Sequence, residues 1–125
     1  MAELELKNNP GQIQALVLSG DALKKMGHYL KALERFNQAL LADSNYIPAL
    51  KGAGYTNHRL KSYAAAQTQL ERAVKLDTGD PDIRKLLGSL YFDMGMKKDA
   101  IQQLRVYLDL SPGASDRVEI ERMIQ

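Results

Sequence analysis

Apolar residues recur along this chain at intervals of three and four. Ile13, Leu16, Val17, Leu23 and Met26 form one such run, and Leu30, Leu33, Phe36, Leu40 and Leu41 form the next, within Tyr29–Ala42. That spacing gathers apolar side chains on one face of a helix, so the two runs predict a pair of amphipathic helices. Gly27 stands between them, and Lys61 and Gly95 occupy the equivalent later turns. Glycine suits a left-handed helix C-cap because it has no Cβ to clash. Lys61 in that conformation would cost about 1 kcal/mol. Neither β-branched alternation nor an Asn-Gly or Asp-Gly hairpin turn occurs, so no strand is expected.

The pattern repeats. Gly20, Gly54 and Gly88 are 34 residues apart, as are Ala32, Ala66 and Ala100. The same step links Leu16, Leu50 and Arg84, then Phe36, Leu70 and Leu104, then Leu40, Val74 and Leu108. One register therefore divides the chain into an N-terminal segment 1–12, units 13–46, 47–80 and 81–114, and a terminal helix within 115–125. Each unit reads as a helical hairpin. The Gly and Ala of each unit, such as Gly20 with Ala32, are expected to face each other where the hairpin closes, because side chains at the contact set the interaxial distance. Ala39 and Ala73 would do the same against the following unit, and Tyr107, which breaks that column, reads as an end effect.

Helix starts are marked unequally. Asp80-Pro81 is an N-cap followed by a proline whose missing N–H is not needed there. Ser44-Asn45 opens the second unit, with Pro48 in its first turn. In Ser115–Ile124, Asp116 and Glu119 have capping-box spacing. Arg122 stands where the repeat would place glycine, so this helix is expected to close the array with a polar outer face. Pro10 lies three steps before Pro112, and Leu4 with Leu6 reads as the remnant of an earlier helix. On that reading the chain is a piece of a longer array.

Composition removes several classes. The 125 residues hold no Cys, 45% apolar and 26% charged residues, with 17 Lys+Arg against 15 Asp+Glu. This is ordinary for one globular domain. Without cysteine there is no disulfide framework, thiolate nucleophile or Cys-based zinc site. No apolar run is long enough to span a bilayer. The start lacks the basic and apolar stretches of a secretory signal, so a cytoplasmic location is expected.

The columns resemble the tetratricopeptide repeat, a 34-residue helix–turn–helix unit. Matching residues are Leu16, Gly20, Ala32, Phe36 and Ala39; then Leu50, Gly54, Tyr63, Ala66, Leu70 and Ala73; then Leu87, Gly88, Tyr91, Ala100, Leu104 and Pro112. Departures are Ser19, Arg84, Tyr107, and Ser44 and Thr78 in place of a closing proline. Arg84 makes the third unit the one expected to pack least normally. The resemblance implies an all-α, right-handed superhelix whose first helices line a concave groove.

It further implies a non-catalytic module that binds a peptide or helix of a partner protein. The groove positions would be Lys24, Lys51, Tyr55, His58, Arg59, Lys85, Ser89 and Phe92, with Val17 and Asp21 beside them. Tyr55 and Phe92 are expected as apolar anchors, and Gly52 as a gap beside Tyr55. The positive surplus would steer an acidic segment. A solvated helix face with two scattered aromatics is the plainer alternative. Relatives that hold the C-terminal carboxylate of heat-shock chaperones use Lys, Asn and Arg. Val17, Asp21, Gly52, Asp82 and Leu86 stand at those positions, and none can donate a charge-assisted bond, so that partner is not expected.

Other classes fare worse. His58, Ser89 and Asp93 are the best available catalytic set, yet no oxyanion loop accompanies them. His28 and His58 lie almost a repeat apart, so no metal site or cofactor is expected. A net charge of +2 lacks the basic stripe of an RNA-reading repeat. Self-association remains an alternative, through Leu4 with Leu6 or Val118 with Met123.

Overall fold

A computed structural model describes residues 9–125, as seven α-helices and no strand among those residues. They are α1 (Pro10–Lys25), α2 (Tyr29–Ala42), α3 (Ile47–Arg59), α4 (Tyr63–Leu76), α5 (Pro81–Asp93), α6 (Lys97–Leu110) and α7 (Arg117–Ile124). Consecutive helices pack as hairpins, α1 with α2, α3 with α4 and α5 with α6, and the hairpins stack in chain order into an all-α superhelix. Leu4 and Leu6 lie outside the described residues.

Each hairpin turns the same way. The helix-ending residues Gly27, Lys61 and Gly95 have φ of 82°, 64° and 80°. At each, the left-handed residue donates to the carbonyl three back and its successor to the one five back, as in Lys61 to His58 and Ser62 to Asn57. These are Schellman closures, which satisfy carbonyls that the helix end would leave unpaired. Helix starts differ more. Asn9 and Asp80 cap α1 and α5 through their side chains, accepting from Gln12 N and Asp82 N. Ser44 and Asn45 do not cap α3: Asn45 N donates to Asp43 Oδ1 in the connecting turn, and Tyr46 is the N-cap.

The glycine column works differently from the sequence expectation. A Cβ on Gly20 would stand 2.7 Å from the Phe36 ring, one on Gly54 2.5 Å from Leu70, and one on Gly88 2.6 Å from Leu104. Each glycine therefore receives the large apolar residue of its hairpin's second helix rather than the alanine. Ala32, Ala66 and Ala100 are fully buried beside this contact. Gly52 is also a correction. It leaves no gap beside Tyr55, because the Phe36 ring fills that space from the preceding hairpin. Phe36, with no exposed surface, is thus clamped between Gly20 of its own unit and Gly52 of the next.

The later junctions follow suit. Leu86, one step after Gly52, packs on the cluster containing Leu70, and Ile120, one step further, packs on Leu104. Arg84 does not disturb the third hairpin. Its guanidinium donates to Gln103 Oε1 at 3.1 Å and to Thr78 O at 3.0 Å, so the charge is held at the edge of the core by polar partners. Val17 is a further correction, since it is buried with Ile13 and Phe36 and is absent from the groove surface.

Two stability outcomes follow from this packing. Gly52→Ala should destabilise the fold by about 1–3 kcal/mol through overpacking against Phe36. Thermal denaturation would show the loss, and Phe36→Leu on the same background should recover part of it. Lys61→Gly should raise the melting temperature, with a gain of up to about 1 kcal/mol from relieving a left-handed Cβ. A lowered melt would contradict the role assigned to that turn.

Candidate functional site

The first helices of the three hairpins line one side of the superhelix. Between them lies an open trough of about 780 Å³. Helix α1 contributes Asp21 and Lys24. Helix α3 supplies Ile47, Pro48, Lys51, Gly52, Tyr55, His58 and Arg59, and α5 adds Asp82, Lys85, Leu86 and Ser89, with Asp80 at its cap. The structure thus gathers Lys24, Lys51, Tyr55, His58, Arg59, Lys85 and Ser89 in one cavity. Helical spacing explains this: Lys51, Tyr55 and His58 are four and three residues apart and share a face.

Phe92 is not among the lining residues. Its ring is half-buried against the cluster formed by Leu104, Tyr107, Leu108 and Ile120, so it serves the core and not the trough. Tyr55 is therefore the aromatic side chain of the cavity wall. Lys24 Nζ lies over one face of the ring, 4.9 Å from its centre, in a cation–π contact.

Trough lysines meet carboxylates of the same chain. Lys51 Nζ is 3.0 Å from both Asp80 and Asp82, Lys85 Nζ pairs with Asp116, and Lys24 lies 3.8 Å from Asp21. The surplus of positive side chains seen in the sequence is thus largely neutralised from within. Burial would lower the Lys51 pKa, but hydrogen bonds and charge from Asp80 and Asp82 outweigh it and raise it. The hydrogen bond to Asp116, against opposing burial, raises Lys85. Arg59 alone among the lining cations has no carboxylate partner among the described residues. Its guanidinium instead lies 5.7 Å from the Tyr29 ring centre.

The histidine is also engaged. His58 Nε2 and Asp93 Oδ2 are 2.6 Å apart, joining α3 to the end of α5, and the imidazole tilts against the Tyr63 ring. Ser89 makes no hydrogen bond to His58 among the described residues, so the three side chains do not form a relay.

Asp116 was placed by sequence at a capping box, and it does something else. Its side chain caps nothing on α7. It accepts from Tyr107 Oη at 2.6 Å and pairs with Lys85, which ties α7 to both α5 and α6. Tyr107 breaks the alanine column because its buried ring and hydroxyl hold the terminal helix. The chain carried a signal for these pairs. Lys51 and Lys85 are one repeat apart, and so are Asp82 and Asp116, hence Lys51–Asp82 and Lys85–Asp116 are one contact used twice.

Stacked helical hairpins with an open trough along their first helices define a protein-interaction repeat. Sequence models of the tetratricopeptide repeat match residues 17–81 and 59–118, and the chain belongs to that family. Comparison with curated proteins found no match. Among solved structures, the first TPR of Spaghetti (RPAP3) bound to the HSP90 peptide SRMEEVD is 20% identical with a TM-score of 0.84, covering 92% of each chain. MamA is 24% identical with a TM-score of 0.83, covering 98% of this chain and 70% of its own. The Yersinia enterocolitica type III secretion translocator chaperone SycD is 15% identical, with a TM-score of 0.81, and covers 91% of this chain and 89% of its own. At these identities the likeness is one of fold.

The Asp116 latch has a definite pH dependence. Hydrogen bonds from Lys85 and Tyr107 lower the Asp116 pKa, so its contribution is complete above the unfolded value near ~3.9 and fades as pH falls through the lowered folded value. The raised Lys85 pKa makes its contribution complete below ~10.4 and lost as pH rises through the folded value. The protection of α7 amides, taken as the ratio of intrinsic to observed exchange rates, should therefore be highest and flat between those limits and fall outside them. Asp116→Asn should weaken α7 docking by about 1–2 kcal/mol and remove the acid limb. An unchanged acid limb would show that another group governs α7.

Proposed function

We propose that this chain is a non-catalytic adaptor of the cytoplasm. Units 13–46, 47–80 and 81–114 would together hold a peptide or helix of a partner protein in the concave trough. The observation that carries this reading is the cavity of about 780 Å³ with Tyr55 in its wall. Its volume lies within the range of roughly 300–1,000 Å³ usual for ligand clefts. Aromatic side chains dominate binding energy at interfaces, and a ring held by Lys24 over one face is ready to receive an apolar partner residue at low entropic cost.

The partner differs from the HSP90 peptide bound to the RPAP3 domain. A carboxylate clamp needs donors, whereas Val17 is buried, the Gly52 position is filled by Phe36, and Asp82 is turned to Lys51. Lys51 and Lys85 in turn are committed to carboxylates of the chain. The trough therefore favours a segment recognised by shape and apolar contact along most of its length.

A second reading is self-association, and one observation favours it. Leu18 stands one repeat before Gly52, Leu86 and Ile120, all of which meet the preceding hairpin, yet Leu18 is 63% exposed. Val118 at the other end is exposed as well. Light scattering on the intact chain distinguishes the two readings by mass.

The trough reading has a direct check. Tyr55→Ala should lose proteins that the unaltered chain retains from a cell lysate, with affinity for a purified partner falling about tenfold, or about 1.4 kcal/mol. The circular dichroism melt should barely move, because the ring is only half-buried. Equal retention by both proteins would exclude the trough as the binding surface.

A further inference from the structure

Beside the trough, at the turn between α1 and α2, lies a second and shallower hollow of about 360 Å³. Gly27, His28, Tyr29, Leu30, Lys31 and Leu60 line it. The left-handed turn at Gly27 creates it, because the chain reverses there without any side chain to fill the space. Leu30 on its rim is 74% exposed, and Met26 in the same turn is 67% exposed. Both side chains leave apolar surface open beside the hollow.

Charge separates this edge from the trough floor. Lys24, Lys51 and Lys85 each face a carboxylate of the chain. Arg59 and Lys31 have none within ion-pair distance among the described residues. Tyr29 joins the two regions, since its ring lines the hollow and carries the Arg59 guanidinium over it, while Arg59 itself lines the trough. Arg59 is exposed, so N–H groups of its guanidinium that do not face Tyr29 stay open to a planar carboxylate.

We propose that the partner segment leaves the trough past Arg59 and seats a bulky apolar residue in the Gly27–Leu60 hollow. An acidic residue adjacent in its sequence then pairs with Arg59 and is drawn in by Lys31. The occupant is thus an extended acidic–apolar peptide, with charge selectivity confined to this one edge. The assignment rests on the trough reading and narrows it: acid preference does not come from the groove lysines, which are already neutralised.

The test uses the intact chain and two synthetic peptides of about eight residues, one with Glu on both sides of a single Phe and one with Lys in those places. Fluorescence anisotropy at low salt should favour the Glu peptide by about tenfold or more, and the preference should shrink as salt rises. Arg59→Gln should abolish most of that preference, and Leu30→Ser should weaken the Glu peptide about as much as Phe→Ala in the peptide does. Both altered side chains are exposed, so the melt should be unchanged. Equal binding of the two peptides, or a preference that survives Arg59→Gln and instead needs Lys51 or Lys85, would overturn the assignment. So would tighter binding of an oligouridylate than of the Glu peptide. Loss on Tyr55→Ala with indifference to Arg59 and Leu30 would leave the trough reading standing and remove only this edge. The opposite pattern would remove the trough and keep the edge.

Discussion

The superhelix depends on one recurring contact, a large apolar side chain from the second helix of a hairpin lodged where a glycine has no side chain. Phe36 meets Gly20 and Gly52, Leu70 meets Gly54, and Leu104 meets Gly88. The backbone of each first helix thereby comes within reach of the neighbouring core. Interiors are packed closely enough that a single added carbon must be accommodated by movement. Phe36 matters most, because its ring bears on two hairpins at once and fixes their relative placement. The trough exists because α1, α3 and α5 are held side by side at that spacing.

Holding the helices there also decides the electrostatics of the trough. Lys51 and Lys85 each reach a carboxylate of the next first helix or of the segment before α7, and the same pairing is used at two successive junctions. Partly exposed ion pairs contribute little to stability on their own. Their larger consequence is for recognition, since a lysine already paired offers a ligand much less. Among the trough cations Arg59 has no carboxylate partner among the described residues, and it lies by Tyr29 next to the α1–α2 turn, where Met26 and Leu30 are exposed.

Much of the fold was legible beforehand because it is a matter of period. A step of 34 residues, helical spacing of apolar positions and glycine at two of three turns suffice to define hairpins. Even the exception was readable, as Lys61 adopts the left-handed conformation of its glycine counterparts. Partners across the interfaces were less so. Gly20 was matched to Ala32 because both are small, but close packing opposes a small residue with a large one, and Phe36 was the complement. Asp116 and Tyr107 were read by local rules, as a cap and an end effect, whereas each bonds the other across the α6–α7 connection and Asp116 also pairs with Lys85 of α5.

The chain by itself therefore determined its repeat length, its helicity and the handedness of its turns, because all of these follow from local backbone preference and side-chain period. That the first helices line a groove was implied by the resemblance to the tetratricopeptide repeat. Tertiary structure decided which side chain fills each glycine gap, that Phe92 turns to the terminal cluster, and that the groove lysines are neutralised. Those outcomes depend chiefly on distances between helices, as in Gly20–Phe36, Lys51–Asp82 and Lys85–Asp116. Such distances are set by close packing between helices, which no periodicity within one helix specifies.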